Sequence, residues 1–200
     1  MDVKMVIDIS QEVFSCKVFS GDPAPAMQRI QSIEQGDICN LTAFSMCAHN
    51  GTHVDAPFHF LPDGNTIEKV SLEAFVGDCY VARFEGDLMA DDAENILVKA
   101  RTVDASERIL IAGHATVTAE AAKVFAQSKI KLLGNESQTV GPEAAPMEVH
   151  RILLGADIVL LEGIVLTDVA EGKYLLSAAP LNLAGCDGAP CRAVLIDKSV

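Results

Sequence analysis

Basic residues are scarce in this chain of 200 residues. Fifteen lysines and arginines stand against 28 aspartates and glutamates, which gives a formal net charge of -13 with neutral histidines. A surface of that sign repels a phosphate backbone, because both carry negative charge. We therefore expect no nucleic-acid partner and assign the acidity to solubility.

Long apolar runs are also lacking. The longest, over 152–166, is interrupted by Asp157 and Glu162 and falls short of the roughly 20 apolar residues that a membrane-spanning helix needs. The opening "MDVKMVIDIS" has no basic segment followed by a long apolar stretch, so we expect no export signal. These features predict a protein that acts in the cytoplasm and does not cross a membrane.

The six cysteines form no Cys-x-x-Cys pair. With no export signal, this favours reduced, mostly buried thiols over a disulfide framework. Cys186 and Cys191 flank "DGAP" closely, but one such pair without a second is weak evidence for a metal site.

The order of apolar and helical segments indicates the fold class. Half of the residues are apolar, enough for a sizeable core. Strands are predicted over 4–9, 38–47 and 79–85, and short helices over 71–77 and 91–100. From 108 onward strands alternate with helices, at "RILIAG", "TAEAAKVFAQ", "IKLLG", "PMEVHRILLG" and "DIVLLEG", before a last strand in "CRAVLIDK". This alternation predicts an α/β fold in a single domain over residues 1–200.

Histidine is rare, yet three of the five histidines lie in the eleven residues "HNGTHVDAPFH". His49, His53, Asp55 and His59 all occupy odd positions, and in extended backbone alternate side chains share one face. A helix would bring His49 and His53 together, but Gly51 and Pro57 disfavour it. Gly51 instead suits a bend that turns successive side chains toward one point.

Imidazole and carboxylate are ligands that zinc and manganese accept. Three protein ligands and an open position are typical of a catalytic rather than a structural site. We predict that His49, His53 and Asp55 bind such an ion. His59 is then free to transfer protons near neutral pH.

A distant pair can extend this site. His150 lies in the predicted helix, and Glu162 ends the strand "IVLLE" twelve residues later. A buried carboxylate needs a strong partner, and a second metal ion would serve. The alternative stays open that Glu162 faces solvent and His150 pairs with a nearby carboxylate.

The chain resembles the metal-dependent cyclase family that includes bacterial kynurenine formamidases. The motif His-x-Gly-Thr-His-x-Asp-x-Pro-x-His is complete from His49 to His59. Further matching segments are "DIS", "SGDPAP", "DAPFHFLPDGNTI", "GNESQTV", "VHRILLGADIVLLEG" and "GAPCRAVLI". The resemblance implies a swivelling β/α/β domain that assembles as dimers or tetramers, with sites near subunit interfaces.

The resemblance also implies roles for the site residues. His49, His53 and Asp55 would hold one ion, Asp55 would bridge to a second ion held by His150 and Glu162, and His59 would donate and accept protons. Two ions per subunit follow, with zinc preferred and manganese as the alternative.

Two positions depart from the family pattern. Phe19 and Ser20 replace the tryptophan and proline of "WPGD", so a smaller ring at Phe19 is expected to contact the substrate. Glu136 replaces a common aspartate.

The implied reaction belongs to tryptophan catabolism: hydrolysis of N-formylkynurenine to formate and kynurenine, or of a related small amide, cyclic imide or lactam. A divalent ion lowers the pKa of a bound water to about 7 and polarises the carbonyl. Two alternatives remain, a metal-dependent lyase or dehydratase and a member of the fold that binds metal without catalysis.

Overall fold

A nine-stranded mixed sheet forms the centre of the computed structural model, which describes residues 5–197. The strands are β1 Met5–Asp8, β2 Ala26–Gln31, β3 Leu41–Ser45, β4 His53–Asp55, β5 Val76–Arg83, β6 Gly86–Leu88, β7 Arg108–Ala112, β8 Ala115–Val117, β9 Leu132–Asn135, β10 Val159–Glu162, β11 Gly172–Ser177, β12 Gly188–Pro190 and β13 Val194–Asp197. The order in the large sheet is β1-β13-β11-β5-β7-β9-β10-β4-β12.

The middle of the sheet is parallel. Strands β5, β7, β9 and β10 run side by side, with Leu110 opposite Gly134 and Leu133 opposite Leu160. All residues of β7, β9 and β10 are buried, which is the pattern of strands covered on both faces. The short runs of Ile, Leu and Val in these segments produce this core.

Three helices cover one face of the sheet: α1 Ala90–Thr102, α2 Ala119–Gln127 and α3 Met147–Leu154. Their buried residues pack with one face of the central strands into a single apolar cluster that includes Leu97, Phe125 and Leu153. The Thr118 hydroxyl accepts a hydrogen bond from the Ala121 amide at the start of α2, as a helix cap does. A second apolar cluster, with Phe75 and Leu195, fills the other side.

The predicted α/β class is confirmed, and each predicted strand and helix has a counterpart. Several predictions need correction in extent, among them the strand predicted over 79–85, which spans Val76–Arg83. The helix predicted over 71–77 is one 3-10 turn, Leu72–Ala74, and the strand predicted over 38–47 is shorter. Lys4 and Lys198, at the ends of the first and last predicted strands, lie outside the described residues. None of the described helices has the length and apolarity to span a membrane.

The two strands at one edge of the sheet position the site. β4 pairs antiparallel with β10, so that His53 lies opposite Glu162. On its other side β4 pairs with β12, which puts Gly188 opposite Asp55. Side chains directly opposite each other in an antiparallel pair are near neighbours. The sheet therefore brings residues far apart in sequence to within contact distance.

All six cysteines are free, as predicted, but they are not mostly buried. Only Cys79 is buried, and Cys39 is exposed. Cys39 lies between β2 and β3, which form a separate two-stranded hairpin whose residues are all exposed.

Candidate metal centre

The segment before β4 bends at Gly51. Gly51 has a φ of +65°, a left-handed conformation that favours glycine, and a Cβ there would lie 3.3 Å from the Cys16 Cβ. The Thr52 hydroxyl donates to the Gly163 carbonyl (2.7 Å) and holds the bend against the end of β10. The predicted bend at Gly51 is confirmed.

The extended face predicted over 49–59 is wrong in its extent. Only His53–Asp55 is a strand, and His59 lies in the 3-10 turn Pro57–His59. Proline at the first position of this turn has no amide hydrogen to leave unpaired, which suits a helix start. The histidines therefore converge through a bend, a strand and a turn, not through one alternating face.

Four of the predicted ligands meet where β4, β10 and α3 come together. His53 Nε2 lies 3.5 Å from both Asp55 Oδ1 and Glu162 Oε2. His150 Nε2 lies 3.2 Å from Glu162 Oε1 and 3.6 Å from Asp55 Oδ2. All four residues are at most 2% exposed. Glu162 therefore does not emerge into solvent, and His150 faces it directly.

The backbone orients both imidazoles. His53 Nδ1–H donates to the Gly51 carbonyl (2.9 Å), and His150 Nδ1–H donates to the Pro146 carbonyl (2.9 Å). Each ring therefore presents a proton-free Nε2 to the carboxylates when it is neutral. Metal-binding histidines characteristically have their second nitrogen held in this way. Glu162 is fixed as well, since its Oε1 accepts the Val140 amide (2.8 Å).

His49 and His59 lie on the other side of Asp55. His49 Nδ1–H donates to Asp55 Oδ1 (2.8 Å). The ring centroids of His49 and His59 are 4.1 Å apart. His59 is more open, with 27% of its side chain exposed. Asp187 contacts both rings: its Oδ2 lies 2.9 Å from His49 Nε2 and 3.0 Å from His59 Nδ1.

The close carboxylates control the charge of the imidazoles. Burial disfavours a charged His49, but hydrogen bonds to Asp187 and Asp55 outweigh it and raise the pKa of His49 to about 11. Burial also opposes charge on His53 and His150, yet the Glu162 carboxylate raises the pKa of each. In the metal-free protein His49 is therefore protonated at neutral pH.

The carboxylates respond in the opposite sense. Burial opposes ionisation of Asp55, but the His49 N–H and the neighbouring imidazoles hold the pKa of Asp55 below its usual range. The pKa of Asp187 is lowered by the hydrogen bonds from His49 and then from His59. Both aspartates are anions at neutral pH.

A divalent cation fits this set of donors. Within residues 5–197 no hydrogen-bond donor reaches Asp55 Oδ2, although the atom is buried. The His150 Nε2, at 3.6 Å, is too distant for a hydrogen bond to this oxygen. A buried carboxylate oxygen without a partner is costly, and a cation would satisfy it. Imidazole and carboxylate are donors that first-row divalent ions accept.

The ligand atoms fall into two groups that share Asp55. One group is His53, Asp55 and Glu162, and the other is His49, Asp55 and His59, with ligand atoms within 4.8 Å of one another in each. This division differs from that implied by the resemblance, which placed His53 with His49 and left His59 free. A shared Asp55 is common to both arrangements.

A cavity of about 230 Å³ opens onto the cluster. Phe19, Phe60 and Pro146 form apolar parts of its wall, and Gln138 and Thr139 add polar groups. Phe60 packs between His59 and His150, with ring centroids 4.5 and 4.6 Å away. Phe19 lies on the wall, in a position to contact a bound molecule.

Three residues of the site were not predicted from the sequence: Asp187 at the centre, and Gln138 and Thr139 in the wall. In this region the sequence pointed weakly to Cys186 and Cys191 as candidate ligands, whereas Asp187 between them contacts the histidines. A polar residue just before a short strand was the only signal. Neither metal-competent cluster in the described part of the chain contains a cysteine.

Glu136, the other departure from the family pattern, has a structural role. Its two oxygens accept the Gly113 amide (2.6 Å) and the Leu166 amide (2.8 Å). The Glu136 carboxylate thus links the two segments of chain that follow β7 and β10.

Known protein families and solved structures resemble this chain along most of its length. The family described as "Putative cyclase" matches residues 6–142. Kynurenine formamidase of Delftia acidovorans is 32% identical over 199 residues, covering 94% of this chain and 95% of that protein. Kynurenine formamidase of Erythrobacter litoralis is 29% identical over 206 residues, covering 96% and 94%. A solved structure described as a potential metal-dependent hydrolase with cyclase activity has a TM-score of 0.80 at 26% identity, covering 98% and 99%.

Proposed function

The chain belongs to the cyclase family, and from this membership we propose that it is a metal-dependent hydrolase of carbon–nitrogen amide bonds that releases formate from N-formylkynurenine. Related small amides, cyclic imides and lactams are the wider substrate class. The two kynurenine formamidases that it resembles along nearly their whole length support this substrate.

One observation carries the proposal: four imidazoles and the carboxylate of Glu162 line a cavity next to Asp55, whose buried Oδ2 has no hydrogen-bond partner within the described residues. We propose that His49, His53, Asp55, His150 and Glu162 hold two divalent ions, with zinc preferred over manganese. Bound there, a divalent ion supplies a water of lowered pKa and polarises the amide carbonyl.

The chain's own groups do the remaining work. His59 stands at the more open side of the cluster, where it takes a proton from the attacking water and returns it to the departing nitrogen as the C–N bond breaks. Phe19 and Phe60 offer ring faces to an aromatic substrate. Hydrogen bonds from the backbone keep His53, His150 and Glu162 in fixed orientations, which favours catalysis by pre-organised groups.

We also propose that the enzyme is a homo-oligomer, a dimer or a tetramer, that acts in the cytoplasm. The exposed apolar side chains of the hairpin support assembly, because Met27 is 62% and Phe44 61% exposed. Six free thiols fit a reducing compartment.

Formate release tests the reaction directly. The protein is stripped with a chelator, reloaded with zinc or with manganese, and assayed for formate and kynurenine from N-formylkynurenine. We expect no turnover in the stripped protein and recovery with the ion. Fully loaded protein that hydrolyses neither N-formylkynurenine nor any of a panel of amides and imides would contradict the proposal.

A further inference from the structure

Asp187 has no part in the proposed reaction. A single oxygen of Asp187 nevertheless contacts two histidines of the site, His49 and His59. Asp187 Oδ2 accepts from His49 Nε2–H at 2.9 Å and from His59 Nδ1–H at 3.0 Å. The rings of His49 and His59 are tilted by 30° relative to each other, with centroids 4.1 Å apart.

The backbone fixes the position of this carboxylate. The Asp187 carbonyl accepts the Ala56 amide (2.9 Å), and the preceding carbonyl, of Cys186, accepts the Ile67 amide (2.9 Å). Gly188, the next residue, pairs with Asp55 across β12 and β4. The side chain is therefore delivered to the histidines by main-chain contacts that a substitution at its carboxylate leaves in place.

An ionised carboxylate can only accept hydrogen bonds, so both rings must direct an N–H toward it. A neutral His49 with its proton on Nε2 leaves Nδ1 free, and this is the nitrogen that faces Asp55 at 2.8 Å. A neutral His59 with its proton on Nδ1 leaves Nε2 free to exchange a proton. Which nitrogen of a histidine is protonated is set by the hydrogen bond that the other nitrogen makes.

We propose that Asp187 is a positioning residue that fixes the tautomers of two histidines at once: Nδ1 of His49 for a metal ion and Nε2 of His59 for proton transfer. The part that concerns His59 rests on the proposed function. In that reaction His59 Nε2 receives a proton from the attacking water and passes it to the leaving nitrogen, while Nδ1–H stays on Asp187.

The tautomers are measurable without a substrate. Zinc-loaded protein labelled with ¹⁵N-histidine is studied by long-range ¹H–¹⁵N spectroscopy at alkaline pH, where free imidazole is neutral, with assignment by single His→Gln variants. We expect His59 in the Nδ1–H form in the wild type and largely in the Nε2–H form in Asp187→Ala. A wild-type His59 in the Nε2–H form, or one unchanged by Asp187→Ala, would overturn the proposal.

Zinc affinity and kinetics supply independent readouts. Removing the carboxylate that holds a ligating histidine should weaken zinc binding about 10–100-fold, as measured by chelator competition. At saturating zinc, kcat should fall about 10–100-fold with a much smaller change in KM, since the interaction matters in the transition state. Asp187→Asn keeps one acceptor oxygen and should lie between the wild type and Asp187→Ala.

The exposed Asp63 gives a matched control, because Asp63→Ala removes a carboxylate from the loop that follows the turn Pro57–His59. It should change neither tautomer nor zinc affinity, and equal effects from both variants would refute a specific role for Asp187. If the wild type hydrolyses no amide, the proposed function fails, while the spectra and the zinc titration still decide the position of the two protons.

Discussion

At the scale of single residues, His59 can be tested for a role in proton transfer as distinct from a role in metal binding. The position of His59 is compatible with metal binding, because its ring lies within 4.8 Å of ligand atoms of His49 and Asp55. It is also compatible with proton transfer, because His59 is more exposed than the other histidines of the cluster. The proposed proton transfer requires that the metal stay bound without it.

His59→Ala should therefore retain zinc, but its kcat should fall about 10²–10⁴-fold, the usual contribution of general acid–base catalysis. Formate release and zinc content by elemental analysis are measured on the same sample. His114→Ala is the control, since His114 is exposed and lies outside the cavity. Loss of one zinc ion per chain from His59→Ala would instead make His59 a ligand.

The charge on His49 predicts how zinc binding depends on pH. With its pKa raised to about 11 by Asp187 and Asp55, His49 is protonated at pH 7 and must lose a proton to become a ligand. Zinc binding should therefore release protons at pH 7, and the affinity should rise with pH toward about 11. Calorimetry in buffers of different ionisation enthalpy measures the number released.

His49→Gln should release fewer protons than the wild type in the same titration. Zinc binding with no buffer dependence in the wild type would show that the ligands are already deprotonated, and would contradict the charge state derived from these contacts.

At the scale of secondary-structure elements, the pairing of β12 with β4 supports the cluster. Gly188 lies so close to its neighbours that a Cβ there would be 2.6 Å from the Val54 carbonyl oxygen and 2.7 Å from His49 Cε1. The strand and the histidine leave no room for a side chain.

Gly188→Ala should lower the free energy of unfolding by about 1–3 kcal/mol, the usual cost of overpacking, and should also weaken zinc binding because His49 must move. Denaturant unfolding and chelator competition measure the two effects. Gly185→Ala is the control: a Cβ there meets nothing within 4 Å, but its φ of +79° is unfavourable for alanine. It should lose stability without losing zinc affinity, and equal zinc affinity in both variants would contradict this role of Gly188.

The sequence predicted the central strands and all three helices because their apolar runs and caps are local signals. It did not predict β2, β6, β8, β11 or β12. β12 is only three residues long, and its pairing with β4 joins segments more than 130 residues apart. Asp187 was missed for the same reason, since its role arises only from that long-range pairing. The cluster from His49 to His59 was visible because its members are close in sequence.

At the scale of the whole molecule, every residue of the two strands of the β2–β3 hairpin is exposed to solvent. Its apolar residues include Met27 and Phe44, and Ile38 between the strands is fully exposed. Exposed apolar surface of this extent characteristically marks an interface, which supports the proposed assembly.

The double variant Met27→Glu, Phe44→Glu should therefore shift the protein from dimer or tetramer to monomer, because charge at an interface must be desolvated. Sedimentation velocity measures the species. Val98→Glu serves as the control, as it places a glutamate on an exposed apolar position of α1, away from the hairpin. A monomeric wild type, or an oligomer that both variants leave intact, would contradict an interface at the hairpin.

We propose that Asp55 would be a ligand of both divalent ions. Elemental analysis of purified protein, combined with anomalous scattering from its crystals, measures identity, number and ligands together. We predict two ions per chain that share Asp55, with His53, His150 and Glu162 around one and His49 at the other. Crystals grown with excess zinc that show no anomalous peak at Asp55 would contradict it.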